Sequence, residues 1–282
     1  MIAVLGGLGA AFAWALTMIC ATRATRLIGA TSVLAWVMLI GLVLTLPWAL
    51  IRGVPEVDGS AARWLLLAGV GNCVGLLLVY TGVRVGKVGV VAPIVSTEGA
   101  IAALIAVAAG EQLAPGTGAA LVVIAVGIVL AAASRDSSGS GSRTSDIRAA
   151  LFGAAAAVSF GASLYATGRV STELPVAWAI LPPRVVGVLA IAVPLAIAGR
   201  LTLTRRALPF VLGAAVAEVV GFAFFVLGAR EGIAIAAVLA SQFGAIAAIM
   251  AVVLFHERLT RLQVVGIAAI AAGVAVMSAL QA

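Results

Sequence analysis

Ten apolar runs, each close to the roughly 20 residues that carry a helix across a bilayer, follow one another along the chain at 2–21, 33–51, 64–83, 88–110, 114–133, 149–170, 175–199, 207–229, 232–255 and 259–280. Inside hydrocarbon every backbone amide and carbonyl must find a partner within the protein, so runs of this length are helices rather than strands. A transmembrane barrel would instead read as short alternating segments. With 64% hydrophobic and 10% charged residues in 282, and a mean hydropathy of +1.26, too little polar surface remains for a water-soluble globule. The first run lacks a basic leader and a small-residue cleavage site, and reads as a retained helix.

A repeat lies within these runs. Gly110-Glu111-Gln112-Leu113 returns as His256-Glu257-Arg258-Leu259 (257 − 111 = 146), Gly127 returns as Gly273, and Gly82-Val83-Arg84-Val85-Gly86 returns as Gly228-Ala229-Arg230-Glu231-Gly232. Across 82–132 against 228–278 ten of 51 pairs are identical, and in so aliphatic a chain the Glu, Arg and Gly matches carry the weight. The same offset pairs Trp14 with Phe160 and Arg23 with Arg169. A polar Ser/Gly-rich stretch, 134–148, divides a first unit (1–133) from a second (149–282) and has the composition of a flexible linker. Five spans per unit is an odd number, so the second copy must enter the membrane from the opposite side. The expected fold is an all-α membrane protein of ten transmembrane helices, built as two inverted five-helix repeats.

The net charge of +7 belongs to the membrane rather than to a nucleic acid. Connections after odd-numbered runs hold twelve of the Lys and Arg residues, among them Arg23, Arg26, Arg84, Lys87, Arg148 and Arg205, whereas those after even-numbered runs hold four: Arg52, Arg63, Arg169 and Arg230. The positive-inside rule then puts both termini outside. Cys20 and Cys73 fall within spans, where they read as packing residues.

These residues resemble the drug/metabolite transporter superfamily, and within it the EamA-type ten-helix transporters. The resemblance covers essentially the whole chain. It rests on an aromatic-small pair in the first helix of each half (Trp14-Ala15, Phe160-Gly161), the Glu-x-Leu turn before the fifth helix of each half (Glu111 to Leu113, Glu257 to Leu259), and the glycine that follows (Gly127, Gly273). Two departures mark the first half: Ala15 where the family has Gly, and Met38 where the second half supplies Arg184. The resemblance implies a transporter of small metabolites, with a central cavity lined by helices 1, 3 and 4 and their counterparts 6, 8 and 9.

Read for chemistry, most of the repeated residues are structural. Glu111 and Glu257 stand at turns just before a helix, where a carboxylate meets free amides and the positive end of the helix dipole. Pro115 and Pro209 suit first-turn positions, paired small residues such as Gly71 and Gly75 let helices approach closely, and Pro93, Pro182, Pro183 and Pro194 mark kinks. His256 lies at a boundary and reads as solvated. Glu98 and Glu218 differ, because each falls near the middle of a span, where a charge costs several kcal/mol unless it is paired or reaches water. Both are expected to face the interior, as proton carriers or as counter-charges for a substrate amine. The offset puts Asn72 on Glu218 and Gly244 on Glu98. Trp14, Thr17, Tyr80, Ser96, Thr97, Ser163, Tyr165, Arg184 and Gln242 are further candidates for the same cavity, and Arg184 either meets a substrate carboxylate or pairs with a Glu.

The functional expectation is a secondary transporter, an exporter of amino acids, amines or drugs working by alternating access with proton exchange at Glu98 or Glu218. It needs no cofactor or metal, and its partners are the small-molecule substrate, protons and the lipid bilayer. An uncoupled facilitator, and a structural or lipid-handling membrane protein without transport activity, are the alternatives the residues leave open. A membrane-embedded enzyme finds no support, since no nucleophile stands beside an evident base and no His/Asp cluster has metal spacing. The preference for Arg over Lys points to a GC-rich bacterium and its plasma membrane.

Overall fold

The structure is a computed structural model that describes residues 1–85, 91, 94–113, 115–132, 143–246, 261, 265, 266, 268, 269, 272, 273 and 276. In chain order its helices are α1 (Ile2–Ile28), α2 (Ala30–Ile51), α3 (Gly59–Val85), α4 (Glu98–Ala108), α5 (Thr117–Ala132), α6 (Arg143–Val170), α7 (Val176–Ile197), α8 (Leu208–Ala229) and α9 (Ile233–Ile246). Six of them, α1, α2, α3, α6, α7 and α8, are long and apolar enough to cross a membrane, and α4, α5 and α9 are shorter apolar helices. The expected tenth span lies largely outside the described residues, and the few of its positions that are described are helical. Glu257 and His256 also lie outside them, as do Lys87 and Pro93.

The elements follow from local chemistry. α1 ends at Gly29, whose φ of 83° lets the chain turn directly into α2 while its amide still donates to Thr25. Pro209 sits in the first turn of α8, where the missing amide costs nothing. Pro182 and Pro183 break α7 after Ile180, and a π-helical turn at Val188–Ala192 follows before Pro194. Of the expected linker 134–148, residues 134–142 lie outside the described residues. Arg143 to Arg148 already belong to α6, because the apolar stretch behind them extends the helix backwards through polar residues that tolerate it.

Apolar side chains point outward as well as inward. Leu5, Phe12, Leu104 and Ile197 are 62, 61, 70 and 83% exposed, as they must be when the solvent is hydrocarbon. The buried side of each helix is rich in Ala and Gly instead, so that helices meet through small residues rather than through large knobs.

The two most extensive helix pairings are α1 with α8 and α3 with α6. They are one pairing made twice. Thr17 Oγ1 donates to the Ala214 carbonyl at 3.4 Å, and at the equivalent positions, 146 on for the donor and 146 back for the acceptor, Ser163 Oγ donates to the Ala68 carbonyl at 2.7 Å. Gly221 makes room for the Trp14 indole, and Gly75 for the Phe160 ring; Gly41 lies against Arg184, and Gly187 against Met38. Swapped equivalent contacts of this kind define a two-fold relation. Along α1, the contacts of Gly6, Trp14, Thr17 and Cys20 fall on Gly228, Gly221, Ala214 and Gly213, so α1 and α8 run antiparallel. Since α1 and α3 run the same way through the α1–α2–α3 meander, the second repeat is inverted relative to the first.

Candidate functional site

A cavity of about 60 Å³ lies between the halves. Ten of its fifteen lining residues form five equivalent pairs: Trp14 with Phe160, Thr17 with Ser163, Met18 with Leu164, Asn72 with Glu218, and Leu76 with Phe222. The cavity therefore sits on the two-fold axis. Val79, Tyr80, Val95, Glu98 and Phe243 complete the wall and break the symmetry. The lining comes from α1, α3, α6, α8 and α9, with Val95 and Glu98 at the start of α4, the set of helices that the resemblance implied.

Each wall is held by a specific device. Trp14 lies edge-on to Phe222 at 5.1 Å and tilted against Phe225 at 6.1 Å, with its indole seated over Gly221. Glu98 occupies the first turn of α4, directly after a tight turn at Ser96–Thr97. There the Thr97 hydroxyl donates back to Ile94 at 2.7 Å, a local bond that competes with the helical ladder. α9 carries a matching turn at Ser241–Gln242, where Ser241 Oγ donates to Val238 at 2.9 Å. The two interrupted helices cross at Gly99, whose missing side chain lets α4 rest on Ala237 and Ser241. Glu98 thus stands at a half-helix N-terminus, where the positive end of the dipole favours a carboxylate.

Glu98 and Glu218 are each 4% exposed, and Asn72, itself buried, stands beside the Glu218 carboxylate on the same wall. Asn72 Oδ1, the Tyr80 hydroxyl and the Trp14 indole N–H are buried with no hydrogen-bond partner among the described residues. Buried polar groups in that condition mark where a ligand or water belongs.

Five of the sequence candidates stand elsewhere. Arg184 is 1% exposed and does not line the cavity; its guanidinium lies 4.9 Å from the centre of the ring of Phe222, which does. Gln242 is buried outside the lining, and the next residue, Phe243, takes the place on the wall. Tyr165 turns away and packs edge-on against Trp64 at 5.6 Å. It lines a second cavity, of about 520 Å³, at the end of the bundle with Glu111, Arg169, Arg230 and Glu231. Ser96 and Thr97 line a third opening, beside α5. Phe243 gave no signal in the sequence, since it is one apolar residue among many and its equivalent, Thr97, faces away.

Glu111 is a cap, but for a different helix than its place in the sequence suggests. Its carboxylate accepts from the Ala234 amide at 3.1 Å, and from that of Ile233, at the N-terminus of α9 in the other repeat. Burial holds its carboxyl above the ordinary value, and the two amides pull in the opposite direction.

The sequence profile of the EamA-like transporter family matches the chain twice, over residues 1–133 and again over 147–279. A crystal structure described only as that of a protein shares the fold with a TM-score of 0.78, covering 99% of this chain and 98% of its own at 18% identity. No curated protein matches the chain.

Proposed function

The chain belongs to the EamA-like transporter family, and on that premise we propose that it exports a small organic solute, an amine, amino acid or drug, by alternating access around the central cavity. The observation that carries the reading is the placement of two buried carboxylates in an aromatic-walled cavity on the axis between inverted halves. A site on that axis is reached from either side by the same rocking motion, since whatever one repeat does at one membrane face its inverted twin does at the other. Glu98, at the interrupted start of α4, is the proposed proton carrier. Glu218 is the charged group within its electrostatic reach, and Tyr80 shares the cavity wall with both. The charge bias of the connections places the termini outside a bacterial plasma membrane.

Flux of labelled amines, amino acids and drugs from proteoliposomes tests the reading. A pH gradient is expected to change the accumulation ratio of the transported solute, and Glu98→Gln to abolish that response. An accumulation ratio indifferent to pH makes the protein an uncoupled facilitator, and no flux for any solute ends the transport reading.

A further inference from the structure

The two repeats disagree at two neighbouring places in a correlated way. Where the first half has Asn72 and Met38, the second has Glu218 and Arg184. Met38 and Arg184 occupy equivalent seats, each against a glycine of the other half, Gly187 and Gly41 respectively. One repeat is neutral at both positions and the other carries a charge of each sign. A buried guanidinium needs compensation, and the side chains around Arg184 show where it comes from. Its Nη1 and Nη2 have no hydrogen-bond partner among the described residues, its central carbon lies over the Phe222 ring, and Glu218, one turn before Phe222 on α8, is the carboxylate within electrostatic reach. Phe222 lines the cavity and Arg184 lies behind it, so the guanidinium acts on the cavity through its field and not by contact.

We infer that Arg184 sets the charge of the solute: it offsets Glu218 from behind the wall and leaves Glu98 as the net charge of the cavity, so that the site takes an organic monocation in preference to a zwitterion or an anion. This rests on the transport reading above. Glu98 has no basic counterpart, because its equivalent is Gly244 and the charged neighbour it senses is Glu218. The five rings of Trp14, Tyr80, Phe160, Phe222 and Phe243 favour a cation with an apolar body. Arg184 is therefore a specificity-determining residue that touches no substrate.

The test uses three probes that share an indole and differ in charge, namely tryptamine, tryptophan and indole-3-propionate, with binding to the purified protein followed by ligand-dependent thermal stabilisation. Wild type is expected to bind tryptamine at least about tenfold more tightly than the other two, and Glu98→Gln to lose that preference. Arg184→Met exposes a second uncompensated carboxylate and is expected to tighten tryptamine binding by about threefold or more. Adding Glu218→Asn is expected to reverse that gain. If Arg184→Met alone does not fold, the double variant, which copies the pair the first repeat already tolerates, is expected to fold, and its rescue supports the pairing. Preference for tryptophan, lost in Arg184→Met, overturns the inference, because Arg184 would then hold a substrate carboxylate. So does a double variant that loses tryptamine binding as completely as Glu98→Gln. Either result leaves the transport reading standing if proteoliposomes still show flux, whereas absence of flux for every solute removes that reading itself.

Discussion

Asn72 and Glu218 hold the same position in the two repeats, and both line the central cavity, the amide within electrostatic reach of the carboxylate. Residues related by a two-fold axis touch only where the axis passes between them, so this pair fixes the axis at the cavity wall. The polar contact there is asymmetric by necessity: two glutamates would repel, and two asparagines would leave no charge. The repeat has diverged at a place where identical residues would have faced each other.

The glycines that seat the cavity's aromatic rings admit no side chain. A Cβ at Gly221 would lie 2.5 Å from the Trp14 indole nitrogen, and one at Gly75 would lie 2.6 Å from the Phe160 ring. Gly221→Ala and Gly75→Ala are each expected to cost about 1–3 kcal/mol of stability through overpacking. Gly59→Ala, at a position with open space around it, is expected to cost nothing. Thermal unfolding in detergent measures all three, and equal midpoints would show that the rings move aside freely.

Glu111 links the turn after α4 to the start of α9 in the other repeat. Glu111→Ala is expected to cost about 1 kcal/mol, as the loss of a helix cap does. The pH dependence has a definite sign. The folded carboxyl lies above its ordinary value, so the folded state holds the proton more firmly, and its contribution is present below the unfolded value and lost as pH rises through the folded one. The melting temperature of wild type relative to Glu111→Gln should therefore fall as pH climbs out of the acid range. A difference that is flat or rises with pH contradicts the burial argument.

Arg230, a repeated residue, ties the end of α8 to the turn after α6. Its Nε donates to the Ser171 carbonyl at 2.7 Å and its Nη2 to the Leu174 carbonyl at 3.1 Å. Lysine has no planar fork to meet two carbonyls at once. Arg230→Lys is expected to lose most of what Arg230→Ala loses, about 1 kcal/mol for so exposed a side chain. Chemical denaturation of the two variants side by side checks this, and full retention by lysine would mean that charge alone matters.

The inversion and its orientation are open to labelling. Arg26 and Gly53 are exposed at opposite ends of α2. With a membrane-impermeant thiol reagent on intact cells, in a background lacking Cys20 and Cys73, Gly53→Cys is expected to react and Arg26→Cys to react only after permeabilisation. The reverse pattern would place the termini inside.

Much of this was legible in the chain because the bilayer leaves a sequence few options. Apolar length set the helices, Pro182-Pro183 marked the break in α7, and the spacing between Glu111 and Glu257 set the register of the repeat. What it missed were facts about which side of a helix faces what. Arg184 looked like a cavity residue because a charge in mid-span must be satisfied somewhere, yet it lies behind Phe222. Tyr165 is within two residues of Ser163, but a helix turns each residue about 100° from the last, enough to send one to the central cavity and the other to the vestibule.

The sequence by itself determined the solvent, the helical class and the doubled unit, since these depend on composition and spacing along one dimension. Only the tertiary structure decided that the cavity lies on the two-fold axis, that Asn72 meets Glu218, and that Glu111 caps a helix of the opposite repeat. Each of these is a contact between segments more than a hundred residues apart, set by how small-residue faces of antiparallel helices close on each other.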